Sequence, residues 1–133
     1  MEDAIFKDLT ETKAEAVDDG KWPWTDPVEE DYYVSVFLDK YPVSPGHRLY
    51  VPKYCTTMIL MEAFNEAFRY GRMMVDNGTW DGYNIGMNAG EAAGQTVKWP
   101  HVHLIPRFTG DVEDPIGGVR NTIPGKGNYR KEK

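Results

Sequence analysis

Residues 32–38 run Tyr-Tyr-Val-Ser-Val-Phe-Leu, the aromatic and β-branched composition that suits a pleated, half-buried surface. Pro42, Pro45 and Gly46 interrupt that run before His47-Arg48-Leu49-Tyr50-Val51 resumes it. Two strands joined by a proline-stiffened loop are predicted. After Thr56 and Thr57, whose hydroxyls suit an N-cap, apolar residues recur at Met61, Phe64, Phe68 and Val75, with Ala67 and Gly71 on the same face. Asn77-Gly78 ends the pattern, which predicts one long helix. Met73 and Met74 sit on it and are read as core packing. Two further strands are predicted at residues 83–87 and 97–105, separated by the glycine-spaced stretch 88–94. Strands before and after a single helix imply an α+β fold with an antiparallel sheet.

The two ends of the chain lack this periodicity. Residues 1–31 are acidic, with a turn expected at Asp18-Asp19-Gly20 and an aromatic pair braced by proline at Trp22-Pro23-Trp24. A short helix followed by irregular structure is expected there. From residue 110 onward Pro115, Gly117, Gly118, Pro124, Gly125 and Gly127 disfavour regular structure, and Arg120, Lys126, Arg130, Lys131 and Lys133 make the end basic, so an extended basic tail over 110–133, docked or mobile, is expected. A length of 133 residues, 41% of them hydrophobic, fits a single domain over 1–133 that is small enough to benefit from a partner subunit. Tyr32, Tyr33 and Phe37 are assigned to the core.

Charge and cysteine content narrow the function classes. A formal net charge of -6 argues against a general nucleic-acid partner, which needs a basic face. No apolar run is long enough for a membrane span, so a soluble, cytoplasmic protein is expected. The single cysteine, Cys55, forms no internal disulfide and fits a reducing compartment. An anionic ligand must therefore be held by a local site.

That site is expected around the last strand. Residues two apart on a strand share a face, so Trp99, His101 and His103 line one surface if the strand runs through them. Gly94-Gln95-Thr96 lies just upstream, where glycine permits close backbone approach and the amide and hydroxyl can donate to phosphate oxygens. An imidazole is a competent nucleophile toward phosphorus near neutral pH, and a second one alongside can donate a proton or hydrogen bond. Phosphoryl or nucleotidyl transfer is one reading of the pair. Metal binding and a purely structural role are the others. Against a metal, His47 is the only further histidine and no cysteine cluster is present, although Asp111, Glu113 or Asp114 could contribute.

The stretch from Asn88-Ala89-Gly90 through Gly94-Gln95-Thr96-Val97 to His101-Val102-His103-Leu104-Ile105-Pro106-Arg107 resembles the signature of the histidine triad (HIT) family, in which Gly-Gln-Ser/Thr-Val precedes His-x-His-x-His. Asp39, eight positions before the histidine of Pro45-Gly46-His47, resembles the family's second hallmark. The resemblance covers about residues 32–120. It implies that His101 is the nucleophile forming a nucleotidyl-histidine intermediate, that His103 contacts phosphate oxygens, and that His47 supports the triad from the facing strand. It also assigns Asp39 to the ribose hydroxyls, Asn88 to the phosphate or leaving group, and Gln95 and Thr96 to the phosphate-binding loop. The implied fold is α+β, a five-stranded antiparallel sheet with one long helix and a shorter N-terminal helix, paired as a homodimer through a continuous ten-stranded sheet.

The departures are informative. Trp99 stands where the family has its first histidine, and Pro100 follows it. Asp3-Ala4-Ile5-Phe6-Lys7 resembles the family's N-terminal segment without the cysteines that bind structural zinc in some members, so no zinc and no cofactor are expected. The resemblance implies a nucleotide hydrolase or nucleotidyl transferase acting at a nucleoside α-phosphate, on dinucleoside polyphosphates or nucleoside phosphoramidates. The alternative is a nucleotide-binding regulator with a disabled triad.

Overall fold

The computed structural model describes residues 12–130. Thr12 caps helix α1 (Lys13–Asp18) by accepting the Glu15 N–H, and the expected turn at Asp19 and Gly20 ends it. Then come β1 (Glu29–Glu30), β2 (Val34–Leu38), β3 (Arg48–Pro52), the 20-residue helix α2 (Thr57–Asp76), β4 (Gly82–Gly86) and β5 (Val102–Arg107). Short 3₁₀ turns occupy Glu91–Ala93 and Gly118–Thr122. The five strands form one antiparallel sheet in the order β1-β2-β3-β5-β4. The α+β expectation holds. Periodicity missed only β1, two exposed glutamates with no apolar alternation that pair with Val36 and Ser35 at the sheet edge.

Thr56 caps α2 through its hydroxyl and the Ile59 N–H, as expected. The buried ridge of the helix is Leu60, Ala63, Ala67 and Gly71. This rotates the face that the sequence suggested, because Met61 and Phe68 are about half exposed while Phe64 and Val75 only lean on the core. The small residues decide the outcome by letting the helix approach closely. A Cβ added to Gly71 would stand 3.0 Å from the Tyr83 ring and 3.1 Å from Leu104. Met74 packs against this core, but Met73 is half exposed and not part of it. Val34 and Val36 of β2, Tyr50 of β3, and Val102 and Leu104 of β5 complete the layer, each worth roughly 1.5–3 kcal/mol on full burial.

Strand alternation sends Phe37, Leu49 and Val51 to the opposite face. There they meet Ala16, Trp22, Cys55 and Trp99 in a second buried cluster, with Trp24 packed against it. The last strand begins later than expected, at Val102 rather than residue 97. Pro100 has no N–H to contribute to a ladder, and the first β3–β5 pair is Tyr50 with Val102. Tyr32 and Tyr33 precede β2 and are exposed, so of the three aromatics assigned to the core only Phe37 is buried.

The glycine-rich tail is folded against β4 rather than extended. Gly117 approaches Gly127 so closely that a Cβ on it would lie 2.2 Å from the Gly127 carbonyl oxygen, and Arg120 Nε donates to that same carbonyl. Among the described residues no helix is long and apolar enough to cross a membrane. The residues 3–7 segment, and Lys131 and Lys133 of the tail, lie outside the described residues.

Candidate active site

The loop between β2 and β3 is closed on itself by Asp39 N–H donating to the His47 carbonyl at 2.9 Å and His47 N–H donating to the Ser44 carbonyl at 3.1 Å. Asp39 Oδ1 accepts the Tyr41 N–H at 2.8 Å, which fixes its carboxylate at the mouth of that loop. His47 is thereby delivered, almost fully buried, to the start of β3. The register Leu49↔His103 brings the neighbouring strand alongside, so that His47 Nε2 lies 2.9 Å from His103 Nδ1.

Backbone groups settle which nitrogen carries each proton. The Val43 N–H donates to His47 Nδ1 at 3.2 Å, so that nitrogen holds a lone pair and the neutral ring carries its proton on Nε2. His47 Nε2–H then donates to His103 Nδ1, which leaves the His103 proton on Nε2. His101 is set the other way. Its Nδ1 lies 2.9 Å from the Trp99 carbonyl oxygen, which can only accept, so the proton sits on Nδ1 and Nε2 keeps its lone pair. The His101 and His103 rings are 5.2 Å apart. One presents a lone pair and the other an N–H.

Electrostatics keep these rings neutral. Burial is the main cause that lowers the pKa of His101 below the ordinary imidazole value, against the Trp99 carbonyl and the Asp39 charge, which raise it. For His103 burial, then His101 and His47, bring the value down to about 4. His47 is lowered by burial and partly restored by Asp39. Asp39 Oδ2 lies 3.3 Å from His47 Nε2 and 3.9 Å from His103 Nδ1, so with neutral rings it acts through its field rather than as a partner in an ion pair.

Those three atoms are close enough to one another to hold a metal ion together. The Val43 amide opposes this. It obliges His47 to keep its proton on Nε2, where the ion would bind, and a metal there would have to expel that proton and break the Val43 bond.

Trp99 does not share a face with the histidines as an unbroken strand would require. It is 2% exposed, and its indole N–H donates to the Pro52 carbonyl at 2.7 Å, turning the side chain into the second cluster while its carbonyl faces His101. Gln95 is engaged by its own loop: Oε1 accepts the Gly90 N–H, and Nε2 donates to the carbonyls of Val97 and Lys98. Asn88 and Thr96 are exposed, and among the described residues no hydrogen bond ties either one to the histidines. Sequence reasoning missed the Val43 amide and the Pro52 carbonyl, which leave no side-chain signature.

Residues 25–110 match the HIT domain family. The chain is 37% identical over 101 residues to an uncharacterized HIT-like protein of Methanocaldococcus jannaschii, covering 71% of this chain and 78% of that protein. It is 35% identical over 81 residues to an adenosine 5'-monophosphoramidase of Saccharomyces cerevisiae, covering 59% of this chain and 51% of the yeast protein. A crystal structure of a HIT family protein from Bacillus anthracis superposes with a TM-score of 0.58 at 33% identity over 72% of each chain. With that match over most of its length and a five-stranded sheet carrying one long helix, the chain belongs to the HIT domain family.

Proposed function

We propose that this protein is a nucleotide hydrolase or nucleotidyl transferase that attacks a nucleoside α-phosphate through His101. The observation that carries this reading is that Nδ1 of His101 meets the Trp99 carbonyl while Nδ1 of His103 meets His47, partners that assign a lone pair to His101 Nε2 and an N–H to His103 Nε2. His101 Nε2 forms a bond to phosphorus, and the bond to the leaving group breaks with its electron pair going to that group, which takes up a proton from solvent when it leaves as an amine. Positive charge then develops on the His101 ring, where the Trp99 carbonyl already accepts its Nδ1–H. His103 donates its Nε2–H to a phosphoryl oxygen, and His47 keeps that proton in place from behind. Water then displaces the histidine, or an acceptor takes up the nucleotidyl group.

Asp39 receives the ribose hydroxyls, Asn88 and Thr96 meet the phosphate, and Gln95 braces the loop that carries Thr96. The yeast relative's name makes phosphoramidates the first substrates to try, with dinucleoside polyphosphates next. Two copies of the domain 1–133 pair along β4, one of the two edge strands of the sheet.

The test is covalent capture. Protein incubated with adenosine 5'-phosphoramidate, quenched in acid-free denaturant and digested, is expected to carry a nucleotidyl group on the peptide containing His101. Tight AMP binding with neither adduct nor turnover would instead make the protein a nucleotide-binding regulator with a disabled triad.

A further inference from the structure

We infer that Trp24 is the stacking wall for the base of the nucleotide, a specificity-determining residue contributed by the irregular segment ahead of β1. The inference rests on the nucleotide reading of the histidine site and names what that site holds beyond the phosphate. The Trp24 ring centroid lies 5.1 Å from that of His101, with the planes inclined at 61°. Apart from His103, it is the ring the structure places against His101 among the described residues.

Its other contacts fix it in place. Phe37, 3% exposed, lies nearly parallel to it at 6.1 Å, and Trp22 meets it edge-on at 5.5 Å. Trp22 is in turn wedged against Trp99 and lies under the Lys13 ammonium. Trp24 therefore has one face backed by the second cluster, yet it stays only half-buried. A planar indole held at its back and partly open beside a nucleophile offers a heteroaromatic base what stacking requires: a rigid apolar surface with little left to order. A phosphate attacked at His101 Nε2 carries its nucleoside past that surface.

Binding separates this role from mere support of His101. Calorimetric titration of AMP and of ribose 5-phosphate compares ligands that differ only in the base. For Trp24→Ala we expect AMP affinity to fall about 10- to 100-fold, the range set by loss of one base–aromatic stack, while ribose 5-phosphate binding changes less than about twofold. Trp24→Phe should restore most of the AMP affinity and Trp24→Leu should not, since leucine fills space without a π-face. Equal loss for both ligands in Trp24→Ala, or no loss for either, overturns the assignment, as does full rescue by leucine. Failure of the unmodified protein to bind AMP overturns the nucleotide reading itself and this inference with it. AMP binding with a base-independent effect overturns this inference alone.

Discussion

Between α2 and the sheet the core is mostly small or aliphatic, Val34, Val36, Ala63, Ala67, Val102 and Leu104 delivered at fixed intervals by regular elements, with Tyr50 and Trp80 as its buried aromatics. Its opposite face is covered by Trp22, Phe37 and Trp99, of which both tryptophans come from segments without strand or helix. The first core is generic, in that any residues of the right volume and period would build it. The second makes polar demands as well. Trp99 is bonded at its indole to Pro52 and at its carbonyl to His101, so packing and the protonation of His101 depend on one residue. A helix-covered face can thus be optimised for stability alone, whereas an irregular aromatic face joins stability to chemistry.

The largest effect should separate the two completely. His101→Ala is expected to lower kcat by ~10⁴-fold or more with little change in nucleotide affinity or melting temperature, as read from steady-state kinetics and thermal unfolding. Near-native kcat would remove His101 as the nucleophile. Leu104→Ala, in the α2 core, should show the reverse, losing roughly 2–5 kcal/mol of stability in denaturant titrations while the folded fraction turns over normally.

Trp99 tests the joint character of the second core. Trp99→Ala should cost roughly 3–5 kcal/mol through its cavity and also depress kcat. Trp99→Phe keeps the carbonyl and most of the volume but frees the Pro52 acceptor, so measurable activity should survive with about 1–3 kcal/mol lost. A Phe variant that is inactive yet fully stable would show that the indole acts in the chemistry directly.

A subtler effect falls on His47. His47→Phe keeps ring volume but removes the donor to His103 Nδ1, and kcat is expected to fall about 10- to 100-fold, the usual cost of losing an orienting partner. A structural role alone would not alter the nitrogen chemical shifts of His103. Loss of its Nε2–H tautomer in the variant is the signature sought.

The smallest effects concern pH, and here the faces should respond in opposite directions. His47, His101 and His103 are held neutral in the fold, so below about 6.5 the unfolded chain binds more protons and stability falls toward pH 4. Glu66 on α2 is pushed up to about 8, by burial first and then by Asp31 and Glu62. Between 4.5 and 8 it is the folded chain that holds the extra proton, and stability falls as pH rises. Glu66→Gln should remove that decline across the 4.5–8 window and raise the melting temperature at pH 8 by about 2–5 °C, leaving the slope below about pH 4.5 unchanged. A changed slope below that point would tie Glu66 to the histidine face.

What the sequence determined by itself was whatever is local in the chain's geometry. Alternation in residues 34–38 and 48–52, the Thr56 cap and the Asn77-Gly78 stop follow from periods and caps that each segment carries within itself. The spacing of His101, His103, His47 and Asp39 was legible for the same reason, since side-chain identities are written in the chain. Only the tertiary structure decided that Leu60 and Ala63 join Ala67 and Gly71 against the sheet while Met61 and Phe68 turn outward, because the closest helix approach depends on what Tyr83 and Leu104 present from the other side. It likewise decided the protonation of each imidazole and the neighbourhood of Trp24. The partners of His47 and His101 are a backbone amide and a backbone carbonyl, groups that nearly every residue possesses, and only folding selects which of them stands within hydrogen-bonding distance of a given ring.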